Sequence, residues 1–230
     1  MKSIIDKNLQ PTYFLDFDSQ IIKDFINKNT NNAQSQKDKI ISLYYAVRDQ
    51  IKYDPYHIIF KKENIRSSSV IQRKYGYCVE KAMVLVTCAR AIGVPARIGF
   101  ANVKNHLTSK RLYDLMKSDI FVFHGYSDLF IDEKWIKATP AFNLSLCERT
   151  NTLPLDFDAE NHSIFHSIDK EGKKHMEYIY DYGSFDDLPF EKMLEEYNKF
   201  YPHLDISSSG TFGPVKVNVD FESEATQEVK

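Results

Sequence analysis

The stretch of sequence that decides the fold is residues 75–97, which read Tyr75-Gly-Tyr-Cys78-Val-Glu-Lys-Ala-Met-Val-Leu-Val-Thr-Cys-Ala-Arg-Ala-Ile-Gly93-Val-Pro-Ala-Arg97. After Cys78 the apolar residues recur every three to four positions, which predicts a helix over residues 78–92. Gly93 ends this helix, and the proline two residues later prevents its return. The pattern therefore puts a cysteine in the first turn of a helix.

Cys78 is a candidate nucleophile because of this position. A free thiol has a pKa near 8.5 and is mostly protonated at neutral pH. A helix N-terminus offers unpaired N–H groups and a partial positive charge, which favour the thiolate. The same groups, with the Cys78 backbone among them, can hold an oxyanion. We therefore expect a lowered pKa for Cys78. The alternative is a small buried apolar residue, as most free cysteines are.

The composition is that of an ordinary globular protein. The 230 residues are 43% hydrophobic and 27% charged, with a net charge of −2 and a pI near 6.4. Because the chain has no basic bias and no long apolar run, we expect neither a nucleic-acid partner nor a membrane span. Three cysteines and an N-terminus that soon turns polar favour a cytoplasmic protein without a disulfide framework.

Helical and strand patterns follow one another along the chain, with most strands in the second half. This order predicts an α+β fold. We expect a single domain over residues 1–205, with its core at about 40–145, and a partly flexible C-terminal extension over 206–230. The helices are expected at 19–27, 36–50, 78–92, 107–117 and 190–200, and the strands at 96–101, 119–132, 134–139, 176–181 and 216–221.

A nucleophilic cysteine needs a base, and His124 is the best candidate for it. It lies inside the aromatic strand pattern of residues 120–131. The alternative is a core histidine with its hydrogen bonds satisfied. If Ile131 pairs with Lys134 in a hairpin, the alternation of side chains puts Thr139 and Asn143 on the His124 face of the sheet.

Two motifs in this order carry a resemblance to a known family. The first is the run from Gly76 through Cys78 to Arg97, and the second is His124-x-Tyr-x-Asp followed by Trp135. Together they resemble the core of the transglutaminase-like superfamily over roughly residues 40–145. The whole chain is similar to bacterial single-domain members of unassigned activity.

The resemblance implies a papain-like arrangement, in which a nucleophile helix packs on an antiparallel β-sheet. It implies acyl transfer through a thioester, with Cys78 and His124 at matching positions. The family usually has Asp-Pro at the third catalytic position, where this chain has Thr139 and Pro140. A threonine hydroxyl can accept a hydrogen bond but carries no charge. Asn143 is the alternative group for orienting the imidazole.

The function that follows is cysteine-dependent acyl transfer on a peptide or protein amide substrate. We expect a hydrolase, either a peptidase or an amidase, rather than a cross-linking transglutaminase. The alternative is a catalytically weak or inactive module that binds a peptide or protein partner. Gln72 is a secondary candidate for an oxyanion donor, and Tyr126 for a substrate contact. The sequence leaves the substrate and the oligomeric state open.

Other polar residues were weighed as metal ligands. His162 and His166 have the spacing of a metal pair on a helix, but their segment is not helical in pattern and lacks further ligands. We therefore expect no metal and no cofactor. His106 and His175 receive no role from the sequence. Cys88 lies too far along the helix to reach Cys78 and is expected to be buried, and Cys147 cannot be positioned.

Overall fold

The computed structural model describes residues 2–106, 108–165, 168–173, 175–212 and 221–228. The helices are α1 (Lys2–Lys7), α2 (Gln20–Thr30), α3 (Gln36–Gln50), α4 (Lys62–Ile65), α5 (Ser67–Arg73), α6 (Cys78–Ala91), α7 (Lys110–Met116), α8 (Leu144–Arg149), α9 (Phe190–Phe200), α10 (Ile206–Ser209) and α11 (Phe221–Glu228). The strands are β1 (Lys52–Tyr53), β2 (Tyr75–Gly76), β3 (Ala96–Asn105), β4 (Ile120–Ile131), β5 (Lys134–Ala138) and β6 (Met176–Phe185).

Four strands form an antiparallel sheet in the order β5-β4-β3-β6. Strands β4 and β5 form the expected hairpin, in which Ile131 pairs with Lys134. The turn between them uses Asp132 and Glu133, both with positive φ. Strand β6 lies at one edge of the sheet, as expected for residues 176–181. The two-residue strands β1 and β2 pair in parallel just before α6.

Helix α6 is the centre of the core. Every residue from Cys78 to Arg90 is buried, because α3 and α5 cover the helix on one side and the sheet on the other. A helix that is apolar on all sides is stable only when it is enclosed in this way. The one lysine in it, Lys81, donates to the carbonyls of Arg48 and Ile51, at 2.8 and 2.5 Å. The fold is α+β, with the helix that bears Cys78 packed on an antiparallel sheet, as expected.

Most element bounds agree with the sequence patterns, and α3 and α9 agree at both ends. The hairpin differs at one end, because β5 stops at Ala138 and no ladder pair forms beyond Ser127 and Ala138. Pro140 follows this point and cannot donate to a ladder. The hairpin register that put Asn143 on the His124 face therefore does not extend past Ala138. The Thr139 N–H instead donates to the carbonyl of Ser163, at 2.9 Å.

The last part of the chain packs against the rest of the molecule where the structure describes it. Phe212 is buried, and the Phe60 N–H donates to the Gly210 carbonyl at 2.8 Å. Phe221 begins α11 and contacts the rings of Tyr53 and Tyr56. The expected strand at 216–221 falls mostly on residues 213–220, which lie outside the described residues. Within the described ranges, none of the helices has the length and hydropathy to span a membrane.

Candidate active site

Local hydrogen bonds fix the start of α6 and with it the position of Cys78. Tyr77 is the N-cap, and its N–H donates to Glu80 Oε2 at 3.2 Å. Arg73 holds the other Glu80 oxygen at 2.5 Å. A carboxylate in the first helical turn also complements the helix dipole. These contacts leave the Cys78 side chain at the mouth of the helix, as the sequence pattern predicts.

Gly125 brings the start of α6 against strand β4. A Cβ at this position would stand 2.7 Å from the Cα of Val79, so only glycine permits this approach. The preceding residues form a β-bulge, in which Phe123 has a φ of +57° and its N–H donates to the Asn102 side chain at 3.0 Å. A positive φ is costly for an aromatic residue. The bulge and the glycine thus flank His124, which lies between them.

Cys78 and His124 line one small crevice of about 30 Å³. Both side chains are almost fully buried, with 6% and 4% of their surface exposed. The rest of the lining is almost entirely apolar or aromatic and consists of Tyr53, Pro55, Ile58, Tyr77, Leu112, Met116, Phe121, Val122, Tyr197, Tyr201 and Phe212. Among the described residues no hydrogen bond joins the thiol to the imidazole. The crevice is narrow and mostly apolar, with a volume of about one water molecule.

The pKa of Cys78 differs from the sequence expectation. Burial raises the pKa of the thiol to about 12, although backbone N–H groups of Gly125, Val79 and Cys78 itself act to lower it. The expectation of a lowered pKa is therefore wrong for the closed crevice, since desolvation of the thiolate outweighs the helix N-terminus. The donors themselves lie where expected, and Gly125 adds one that the helix pattern could not reveal.

His124 is also neutral in this environment. Burial lowers the pKa of its imidazole to about 3. Its Nδ1 has no hydrogen-bond partner among the described residues, and the ring of Phe165 contacts the imidazole edge-on at a centroid distance of 4.9 Å. A neutral thiol beside a neutral imidazole is the resting state that an apolar crevice favours, because forming the ion pair there costs desolvation energy.

The third position is not connected to His124 in the structure. Thr139 is buried, and its Oγ1 has no hydrogen-bond partner among the described residues. The Tyr178 hydroxyl is near enough for Thr139 to lower its pKa, but the two oxygens do not reach normal hydrogen-bond geometry. Since both His124 Nδ1 and Thr139 Oγ1 are without partners, no bond joins them. The orienting role of Thr139 stays a prediction.

Asn143 does not fill the third position, contrary to the alternative drawn from the hairpin register. Its Oδ1 accepts from the Tyr53 N–H at 3.0 Å, and its Nδ2 donates to Ser145 and Glu222, at 2.8 and 3.4 Å. The physical reason is that β5 ends at Ala138, so Asn143 no longer follows the alternation of the strand. It is instead the N-cap of α8.

Gln72 and Tyr126, the two secondary candidates, do not line the crevice. Gln72 is exposed on α5 and does not line the crevice, which argues against a role as oxyanion donor. Tyr126 is buried, and its hydroxyl donates to Asp181 at 3.0 Å while Lys137 lies over its ring. Its ring covers Gly99 so closely that a Cβ there would stand 2.1 Å away. Tyr126 therefore ties β4 to β3 and β6, and it is not free to contact a substrate.

The remaining histidines form no common site in the described residues. His162 Nδ1 accepts from the Lys137 N–H at 3.0 Å, and His106 pairs with Glu177 at 3.2 Å. His175 is buried near Phe142 and Phe165, whereas His166 lies outside the described residues. Within that described part, no group of three potential ligands could hold a metal ion. Cys88 is fully buried and Cys147 is buried beside Thr152.

Sequence reasoning missed the residues that enclose the crevice. Leu112 and Met116 come from α7, and Phe212 comes from the chain after α10. Their apolar character was visible in the sequence, but nothing in their spacing linked them to Cys78. Gly125 had a signal, since a glycine directly after the candidate base in a strand indicates a close backbone approach.

Comparisons with known proteins agree with this geometry. The sequence model described as the transglutaminase-like superfamily matches residues 23–140, just over half of the chain. No curated protein matches the sequence. Among solved structures, a candidate cysteine protease from Cytophaga hutchinsonii is similar, with 16% sequence identity and a TM-score of 0.46. The match covers 80% of this chain and 56% of that one, so this chain corresponds to little more than half of that protein.

Proposed function

Because the chain belongs to the transglutaminase-like superfamily, we propose that it is a cysteine-dependent acyl-transfer enzyme acting on amide or peptide substrates. The observation that carries the proposal is the crevice shared by Cys78 and His124 at the start of α6, where backbone N–H groups act to lower the pKa of the thiol. Nucleophile, base and oxyanion donors are the three parts that acyl transfer requires.

The reaction begins when the His124 imidazole takes the thiol proton and Cys78 Sγ attacks the amide carbonyl carbon. The carbonyl oxygen becomes an oxyanion, which the N–H groups of Gly125, Val79 and Cys78 stabilise. The imidazolium then gives its proton to the amide nitrogen, the C–N bond breaks, and the amine leaves. A thioester on Cys78 remains.

Hydrolysis completes the cycle in this proposal. His124 takes a proton from water, the hydroxide oxygen adds to the thioester carbon, and the acid leaves as the proton returns to sulfur. We propose water as the acyl acceptor, and measuring amine incorporation beside new amino groups distinguishes it from an amine. The substrate is then a peptide or protein amide cleaved to acid and amine.

The test measures both possible outcomes on one protein substrate. The purified chain is incubated with dimethylated casein, and new amino groups are counted alongside incorporation of a fluorescent primary amine. We expect new amino groups that disappear in Cys78→Ala, a loss of at least about 10³-fold, while Cys147→Ala retains activity. Activity that is equal in Cys78→Ala and the parent would contradict the proposal.

A second candidate function is an inactive or weakly active module that binds a peptide or protein partner. The missing hydrogen bond between Thr139 and His124 favours it, since an unoriented imidazole is a poor base. The two candidates differ in the chemistry of Cys78. A binding module would show a thiol no more reactive toward iodoacetamide than Cys88, even when the crevice is open.

A further inference from the structure

Helix α7 covers the crevice with two side chains. Leu112 and Met116, four positions apart on one helix face, are 3% and 2% exposed and line the space beside Cys78 and His124. The other residues of α7 are exposed or half-buried, and Leu115 adds a further attachment, since its carbonyl lies 2.8 Å from His203 Nε2. Leu112 and Met116 both belong to the hydrophobic core, so moving α7 outward would uncover the thiol and expose this apolar pair.

Helix α11 fastens α7 in its closed position. Arg111 of α7 donates to Glu224 Oε2 at 2.9 Å, and the Tyr56 hydroxyl donates to the other oxygen of Glu224 at 2.9 Å. The guanidinium also lies over the Tyr56 ring, 5.1 Å from its centroid. Glu224 is 12% exposed and Arg111 is 41% exposed, so the pair is shielded from solvent on its carboxylate side only.

Helix α11 is itself held at its first turn. Phe221 contacts the rings of Tyr53 and Tyr56 at 5.5 and 5.4 Å, and Glu222 pairs with Arg149 at 3.4 Å. Tyr53 also lines the crevice. The contacts therefore run without a break from α11 through Tyr53 and Arg111 to the lid over Cys78.

A larger cavity lies directly behind the lid. It measures about 430 Å³ and shares Leu112 with the small crevice. Phe142 and Phe221 form its apolar wall, and the rest combines hydroxyl and amide side chains with the charged groups of Asp169, Glu171 and Lys173. Leu112 lines both spaces, so a movement of its side chain would alter the wall that they share. Hydroxyl and amide groups suit the backbone of a polar peptide better than an apolar acyl chain.

From this arrangement we propose that α7 is a lid over Cys78, and that α11 is an autoinhibitory latch which keeps the lid shut through Arg111 and Glu224. Opening the latch joins the crevice to the polar cavity and gives a polar peptide its route to the thiol. The proposal rests on the proposed function only in its account of why access matters. The closed lid also explains why the thiol and the imidazole are both neutral, since it excludes the water that would stabilise their charged forms.

The test measures access to Cys78 directly, without any substrate. The rate of alkylation by iodoacetamide at pH 8 is followed by mass spectrometry at each cysteine. We expect Glu224→Ala to raise the rate at Cys78 about fivefold and Glu224→Gln about threefold, because labelling follows the population of the open lid. Asp114→Asn is the matched control, since it breaks the Lys110–Asp114 pair on the same helix without touching the latch.

A charge swap makes the test specific to the latch. Arg111→Glu should accelerate labelling as Glu224→Ala does, and the double variant Arg111→Glu with Glu224→Arg should return the rate toward the parent value. Cys88 and Cys147 report on global unfolding in every sample. Unchanged labelling of Cys78 in the single variants, or acceleration shared by all three cysteines, would overturn the latch. Activity that survives Cys78→Ala would instead overturn the proposed function and leave the labelling result standing.

Discussion

On the Cys78 side of His124, Gly125 allows helix α6 and strand β4 to touch, and backbone N–H groups there act to lower the pKa of the thiol. On the Thr139 side, two buried polar atoms, His124 Nδ1 and Thr139 Oγ1, have no partner among the described residues. The first side consists of backbone groups, whose positions are fixed by a helix start and a β-bulge. The Thr139 side depends on side chains, and a single carboxylate there would supply the missing partner of His124.

The difference teaches that the parts of such a site can change independently. A helix N-terminus keeps its donors whatever side chains surround it. An imidazole keeps its orientation only while a specific partner holds it. In this chain the backbone part of the site is present, whereas His124 Nδ1 lacks a partner among the described residues.

Removal of the imidazole should have the largest effect. We expect His124→Ala to lower any acyl-transfer rate about 10²- to 10⁴-fold, because a positioned base contributes that much. The folded protein should remain intact by circular dichroism, since the imidazole has no Nδ1 hydrogen bond to lose. His162→Ala, which removes a histidine outside the crevice, is the control. If His124→Ala were as active as His162→Ala, Cys78 and the backbone groups at the start of α6 would work without this base.

A side chain at Gly125 should disrupt the close contact between strand β4 and helix α6. We expect Gly125→Ala to lower the free energy of unfolding by about 2–3 kcal/mol, because the new methyl group meets the backbone of Val79 and forces the helix from the strand. Gly183→Ala is the matched control, with a positive φ but open space around it, and should cost about 1 kcal/mol. Urea denaturation measures both. Equal losses would show that the close approach is easily relaxed.

The pH dependence of stability reports the protonation of His124. Its pKa is about 3 in the folded protein and 6.5 when unfolded, so below pH 6.5 the unfolded chain binds a proton that the folded chain refuses. Stability should therefore fall as the pH drops from 6.5 toward 3, by up to about 1.4 kcal/mol per pH unit. His124→Leu should show a shallower decline in urea denaturation from pH 7 to pH 4. Parallel curves for the two proteins would mean that the folded imidazole is charged.

Changes at Thr139 should have the smallest effects on stability. Thr139→Val removes a buried hydroxyl that has no partner among the described residues. We therefore expect the free energy of unfolding to stay the same or to rise by up to about 1 kcal/mol. Thr139→Asp should raise the pKa of His124 by supplying a charge beside it, and should raise acyl-transfer activity. NMR titration of the imidazole and the casein assay measure the two effects. An Asp variant that folds but loses all activity would show that another group holds His124.

Patterns that depend on local sequence agreed well with the structure. The helix bounds of α3, α6 and α9 and the pairing of Ile131 with Lys134 follow from periodicity, capping and turn chemistry. The pKa of Cys78 did not follow, because it depends on which side chains enclose the thiol. The register beyond Ala138 also failed, since Pro140 ended the ladder on which the reasoning for Asn143 rested.

The sequence alone determined the chemistry that is available, namely a cysteine at a helix start and a histidine in a strand beside a glycine. These are local properties, fixed by spacing and by the conformations that each residue type allows. Only the tertiary structure decided whether that chemistry is accessible. Leu112, Met116 and Phe212 come from distant parts of the chain, and they enclose the crevice because folding brings them beside Cys78, where burial raises the pKa of the thiol.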